Sequence, residues 1–148
     1  MQEIDSFYEY AKIFCQYIHE TEITYDSIDY LISTVMRLYI AALELPEMEP
    51  ETNDNIDMSE YIPKSVKISK DLPEAYWEVF NPFEKNEVVG GSLKDDLSDI
   101  IRDLERGISE YDAGRIGNAR LEWHFGLLHH WGQHAVDFIK ALHALRTE

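Results

Sequence analysis

The sequence predicts an all-α protein: a single-domain bundle of four long helices, with a short helix in the long second connection. In every long segment, apolar residues recur three and four positions apart, and no segment alternates strictly as a half-buried strand would. A chain of 148 residues that is 45% hydrophobic can bury one substantial core and is short for two. Residues 1–148 are therefore expected to form one domain.

The first two helices are each predicted from one apolar stripe. Helix one is expected over about residues 2–20, and the single cysteine, Cys15, falls on its apolar face as a buried, inert thiol. Thr24 is the predicted cap of helix two, which ends at Pro46. The two stripes consist of Ile4, Phe7, Tyr8, Ala11, Phe14, Cys15 and Ile18, and of Ile28, Leu31, Ile32, Val35, Leu38, Tyr39 and Ala42.

The second connection begins with a strongly acidic stretch. From Glu44 to Glu60 there are seven carboxylates, two prolines and no Lys or Arg, which is typical of a solvated connector. Residues 53–60 alternate oxygen ligands as a calcium loop does. However, Met58 stands where the sharp turn requires glycine, so calcium is disfavoured.

The same connection then carries aromatic residues. A short helix is predicted from Pro73 to Phe80, and it is expected to end there because Pro82 disfavours helix at Asn81. Its aromatic side chains are expected to plug one end of the core: Tyr76, Trp77, Phe80 and Phe83. Gly90 and Gly91 are expected to form a turn into Ser92, which caps the third long helix with Asp95 at the third position.

The last two helices are predicted to form a tight hairpin. The third ends near Gly114, and the fourth runs from about Ile116 to Leu145. At about 100° per residue, the apolar face of the fourth helix is centred on Leu128, Trp131, Ala135, Phe138 and Leu142. His124 is expected to point into that core, and Trp123, His130 and His134 to lie on a flanking stripe.

Charge and composition exclude several classes of function. With 29 acidic and 13 basic residues the net charge is −16, which repels nucleic acid and anionic membrane surfaces. No apolar stretch approaches a membrane span, and the acidic start lacks the basic region of a secretory signal. A single cysteine fits a reducing compartment. The expectation is a cytoplasmic protein that binds neither nucleic acid nor membrane.

Five of the six histidines lie between Arg120 and His143, and two of them form a candidate site. His130 and His134 are four residues apart on one helical face. Folding the hairpin at Gly114 brings Asp96 and Asp99 of the preceding helix to their level. Two histidines and a carboxylate could hold zinc, iron or manganese. His124 is a further residue that could converge on this site.

The same residues also fit a structural role, which is the favoured interpretation. A half-buried histidine needs a partner for each ring nitrogen, and an aspartate on the neighbouring helix supplies one without any metal. Neither the Glu-x-x-His of di-iron bundles nor the His-Glu-x-x-His of zinc proteases occurs, and there is no serine nucleophile elbow. No catalytic residue is assigned.

Four stretches of the chain carry a resemblance to a known family. They are residues 38–46, 76–83, 91–107 and 122–135, and their most specific parts are DDLxDIxRDL and HWGxHA. Through them the sequence resembles an uncharacterised bacterial domain-of-unknown-function family of small, all-helical, acidic proteins. The resemblance covers nearly the whole chain. It implies a compact helical protein and supplies no activity.

Two functional hypotheses follow from the sequence. The first is a non-enzymatic interaction or regulatory domain with an unknown protein partner; monomer and homodimer are both left open. The alternative is a metal-dependent bundle enzyme with a His/Asp site between the last two helices, which resembles in outline the DinB-like helical proteins that use a histidine metal site.

Overall fold

The computed structural model describes residues 2–52 and 66–146. Within them, the fold consists mainly of four long helical segments. The helices are α1 (Gln2–Glu20), α2 (Ile28–Leu43), α3 (Leu93–Asp112), α4 (Ile116–Gly126) and α5 (Gly132–Arg146). A π-helical turn (Leu127–Trp131) joins α4 and α5 into one rod. α3 packs against α1, α4 and α5, and α2 packs against α5. The predicted helical bundle is confirmed. The run 53–60, considered as a calcium loop, lies outside the described residues.

Local sequence signals set the helix ends. The apolar face of α1 is buried as predicted and includes Cys15, and this burial raises the pKa of the thiol. Ser92 caps α3 by accepting a hydrogen bond from the backbone N–H of Asp95 at 3.2 Å. Just after α3, Gly114 has a φ of 81°, a conformation that glycine adopts without strain. Within the described ranges, no helix is both long enough and apolar enough to cross a membrane.

The second connection contains a β-hairpin where a short helix was predicted. Of the residues Pro73 to Phe80, Ala75–Glu78 form β1, which pairs antiparallel with β2 (Val89–Ser92). Gly90 and Gly91 therefore belong to a strand and not to a turn. A Cβ on Gly91 would lie 2.5 Å from the ring of Tyr76, so glycine lets this ring cross the neighbouring strand. Aromatic residues fit a pleated surface, and four residues are too few to show a helical period.

The aromatic plug predicted for this segment is also wrong. Tyr76 is partly buried, but Trp77 is 78% exposed, Phe80 75% and Phe83 97%. The inward residues of β1 are Tyr76 and Glu78, because side chains alternate along a strand. The hairpin therefore presents aromatic side chains at the surface, Trp77 from the outer face of β1 and Phe80 and Phe83 from the loop that follows.

The π turn changes which residues of the last rod face the core. Trp123, predicted on the flank, is fully buried, and Leu128, predicted at the centre of the apolar face, is 55% exposed. His124 is half-buried and not in the core. A π turn contains one residue more than an α-helical turn, so it rotates everything before it by about 100° relative to everything after it. The buried face is Ala119, Trp123, Leu127, Trp131, Ala135, Phe138 and Leu142.

The acidic connector is attached to the start of α4. The carboxylate of Glu51 accepts hydrogen bonds from the backbone N–H groups of Gly117 at 3.0 Å and Asn118 at 2.8 Å. In return the side-chain oxygen of Asn118 accepts from the backbone N–H of Glu51 at 2.9 Å. These bonds lower the pKa of Glu51 and satisfy donors at the N-terminus of α4. The connector therefore holds the N-terminal end of α4 in place.

Candidate metal centre

The carboxylates of α3 and the histidines of the π turn and α5 face each other across one interface. Asp96, Asp99 and Asp103 follow a three-and-four spacing on α3. His130 belongs to the π turn, and His134 lies one turn later in α5. The two imidazole rings have centroids 5.1 Å apart. The four residues singled out from the sequence, Asp96, Asp99, His130 and His134, therefore lie together.

His134 lies between two aspartates. Its Nδ1 is 2.8 Å from Oδ1 of Asp96, and its Nε2 is 3.2 Å from Oδ2 of Asp99. Asp96 is buried, whereas the side chain of Asp99 is about one-third exposed. The ring is thus held from the protein side by Asp96 and meets Asp99 on its more open side.

His130 has a comparable partner, one that the sequence did not single out as a site residue. Its Nδ1 lies 2.6 Å from Oδ2 of the buried Asp103, and its side chain is about half exposed. Asp103 continues the three-and-four spacing of Asp96 and Asp99 on α3, and this is the signal that could have identified it. The spacing on α3 alone does not tell which residue of the last rod lies opposite Asp103. The π turn also changes the position of His130 relative to α3.

Asp96 uses both of its carboxylate oxygens within the protein. Oδ1 faces His134, and Oδ2 accepts a hydrogen bond from the hydroxyl of Tyr76 on β1. Burial and this carboxylate raise the pKa of Tyr76 far above its usual range, so the phenol keeps its proton. Asp96 therefore orients His134 and has no oxygen left on the open side of the site.

Titration of His134 depends on these neighbours. The hydrogen bond to Asp96 raises the pKa of His134, and the negative charge of Asp99 adds to this effect. Burial raises the pKa of Asp96, although His134 and Tyr76 act in the opposite direction. The pKa of each group is thus above its ordinary value, that of His134 because of its partner and that of Asp96 because of burial. Half-buried His124 differs: its pKa is lowered by burial and by Arg120, so it belongs to another environment.

Three side chains remain that could hold an ion together. One ligand atom each from Asp99, His130 and His134 lies within 4.8 Å of the other two. Because Nδ1 of each histidine faces a buried aspartate, Nε2 is the nitrogen of each ring that is left for an ion. Two imidazoles and one carboxylate form a donor set used for zinc and for non-haem iron. His124 is not part of this group.

Comparison with known proteins adds a family and a fold. The model of the domain of unknown function DUF5063 matches residues 1–148. The chain belongs to the DUF5063 family. This confirms the resemblance found in the sequence, and the family description assigns no activity.

One solved structure shares the architecture, protein BF1032 from Bacteroides fragilis, a Northeast Structural Genomics Consortium target. The alignment has a TM-score of 0.74 and covers 100% of this chain and 97% of that one, at 18% identity. No curated protein matches the sequence. At 18% identity, this likeness shows a shared fold and nothing about the function of this DUF5063 protein.

Proposed function

We propose that the chain binds a divalent transition metal through the Asp99 carboxylate and the Nε2 atoms of His130 and His134. The observation that carries this proposal is the 3.2 Å separation of His134 Nε2 and Asp99 Oδ2. When neutral His134 donates its Nδ1 proton to Asp96, its Nε2 is a lone-pair acceptor facing a second acceptor. A cation between them, either a proton or a metal ion, makes the contact favourable.

The buried aspartates support the metal over the proton. Metal-ligating histidines usually donate their other ring N–H to a carboxylate, which fixes the tautomer and increases the basicity of the ligating nitrogen. Asp96 and Asp103 are both placed to do this, for His134 and His130 respectively. A purely structural pairing needs no second histidine at 5.1 Å and no third carboxylate.

The number of ligands indicates what kind of metal site this would be. Structural zinc sites are closed by four protein ligands, whereas catalytic sites leave a position for water or substrate. The described residues supply three ligands, and His130 and Asp99 are partly open to solvent. We therefore infer a metal-dependent enzyme in which the ion would activate a bound water or polarise a substrate.

Elemental analysis of untagged protein tests this function, with asparagine variants of the histidines. In H130N and H134N the amide nitrogen stands in for Nδ1 and can still donate to Asp103 or Asp96, but the Nε2 ligand is gone. We expect about one equivalent of zinc, iron or manganese in the wild type and its loss in both variants. The melting temperature of the metal-free protein should change little.

The control is H143A, because His143 is exposed and lies outside the candidate centre. It should keep the metal. A wild type that binds none of the three ions, and whose melting temperature is the same with and without chelator, would leave only the hydrogen-bond network and overturn the proposal.

A second candidate function rests on the exposed aromatic side chains of the β-hairpin. Large exposed apolar groups close together mark interaction sites more often than inert surface. Trp77, Phe80 and Phe83 are all at least 75% exposed. In this alternative, the chain is an interaction domain that pairs with a second copy through these aromatic side chains. Light scattering at high salt, where repulsion between acidic chains is screened, tests for such a dimer. A dimer that a triple serine variant of these residues abolishes would support it, and a monomer throughout would remove self-association.

A further inference from the structure

A groove of about 310 Å³ opens between β1 and α5. Its apolar lining includes Leu93 at the start of α3, together with Ala141 and Leu145 of α5. This volume is at the lower end of the roughly 300–1,000 Å³ of small-molecule sites. Tyr76 also lines the groove, and its hydroxyl donates to Asp96, so the groove adjoins the candidate metal centre.

The charged lining of the groove is dominated by two carboxyl groups in contact. Glu78 projects inward from β1, next to Asp137 of α5. Burial and the neighbouring Asp137 raise the pKa of Glu78 to about 7. Two adjacent carboxylates repel each other, so the site favours a shared proton or an added cation.

One atom of this pair has no hydrogen-bond partner. Oε2 of Glu78 is buried, and within residues 2–52 and 66–146 nothing donates to it. A buried acceptor without a partner costs folding free energy, and it is a place where a ligand can gain affinity by supplying the missing donor. The lining residue Lys140 is exposed and makes no ion pair with Glu78 or Asp137 within the described ranges.

We propose that this groove binds a small molecule with a primary ammonium group on an apolar body, the ammonium lying between Glu78 and Asp137. Hydrogen bonds from an ammonium to carboxylates are charge-assisted and stronger than neutral ones. The apolar body would lie against Leu93, Ala141 and Leu145, where it displaces water from hydrocarbon surface. Trp77, the exposed tryptophan of the lining, can add a cation–π contact.

The ligand class follows from the charges present. An anionic ligand would meet the carboxyl pair in a protein whose net charge is −16, and Lys140 is the single cationic residue of the lining. A neutral apolar ligand would leave Oε2 of Glu78 unpartnered. The proposal does not depend on a metal, because none of Glu78, Asp137 and Trp77 belongs to the proposed ligand set.

Titration with benzylamine, followed through the indole N–H signals in ¹H–¹⁵N spectra, tests the groove. The protein has three tryptophans, and Trp123 and Trp131 are fully buried, so the signal of Trp77 should shift alone and saturably. Benzyl alcohol has the same ring without the charge and should bind about tenfold more weakly or worse. E78Q should weaken benzylamine binding by a similar factor.

The matched control is E87Q, which removes one exposed carboxylate outside the groove and should leave binding unchanged. If E78Q does not fold, D137N provides the same comparison. Equal affinity for benzylamine and benzyl alcohol, equal affinity in the folded carboxyl variant, or no saturable shift of Trp77 would each overturn the proposal. Metal-free protein should bind benzylamine as tightly as metal-loaded protein, which keeps this test separate from that of the metal centre.

Discussion

Oδ2 of Asp103 lies 2.6 Å from Nδ1 of His130, across the interface between α3 and the π turn. The pair repeats the relation between Asp96 and His134, about two turns away along α3 and one turn away along the last rod. Each buried carboxylate fixes one imidazole by the nitrogen nearer the backbone and leaves Nε2 for another partner. The orientation of the two rings is therefore decided by α3, whereas the two Nε2 atoms belong to residues of the π turn and α5.

The first prediction concerns Asp103. D103N should lower metal affinity by about 10–100-fold, because the amide no longer stabilises the donating tautomer of His130 by charge. Competition with a chromophoric chelator measures this. D71N, which removes an exposed carboxylate elsewhere, should bind as the wild type does. Unchanged affinity in D103N would show that Asp103 has no orienting role.

The second prediction concerns His134 and pH. In metal-free protein the pKa of His134 is raised above 6.5, chiefly by the hydrogen bond to Asp96. A raised pKa in the folded state gives stability that is complete below the unfolded pKa and is lost as pH rises through the folded pKa. The free energy of unfolding in urea with chelator should therefore fall above pH 6.5. H134N should show a smaller fall, and an identical one would disprove this origin.

The third prediction concerns the Glu78 carboxyl. Burial and Asp137 raise its pKa from 4.5 to about 7, while Asp96 adds to this effect and His134 opposes it. Its stabilising contribution is complete below 4.5 and is lost as pH rises through about 7. Carboxyl ¹³C signals should give a midpoint near 7 for Glu78, and saturating benzylamine should lower it. A midpoint near 4.5 in the free protein would contradict the buried pair.

The fourth prediction concerns the packing of Trp123. A Cβ on Gly107 would lie 2.0 Å from Nε1 of Trp123, the atom that donates to the carbonyl of Leu104 at 3.0 Å. G107A should therefore destabilise the protein by about 1–3 kcal/mol, as overpacking of a core does. G90A is the control, because a Cβ there meets nothing within 4 Å. Equal melting temperatures of the two variants would show that the indole can move aside.

Local signals made much of the fold predictable. The extent of α1, the Ser92 cap and the turn at Gly114 each depend on a few neighbouring residues, and all three were anticipated. The juxtaposition of Asp96 and Asp99 with His130 and His134 followed from helical period and one hairpin. These are short inferences in which each step has a strong sequence signature.

The remaining features depend on contacts that a single segment does not encode. β1 has four residues, and its partner strand contains two glycines, so neither shows a strand pattern alone. Hydrophobicity predicted burial for Trp77 and Phe83, although Trp77 lies on the outer face of β1 and Phe83 in the exposed loop after it. The pairing of Asp103 with His130 required knowledge of the π turn, whose single additional residue leaves no compositional trace.

That additional residue has a consequence for comparing members of the family. Consider a relative whose last rod is α-helical throughout, with no π turn. Its alignment to this chain needs a one-residue gap between positions 126 and 132, because only then do both the tryptophans and the histidines superpose. An ungapped alignment would equate chemically unrelated faces on one side of the gap. Deleting Leu128 would make the helix regular and shorten the rod by one residue. If His130 and His134 kept their places, the buried residues Trp123 and Ala119 would then be rotated by about 100° out of the core face.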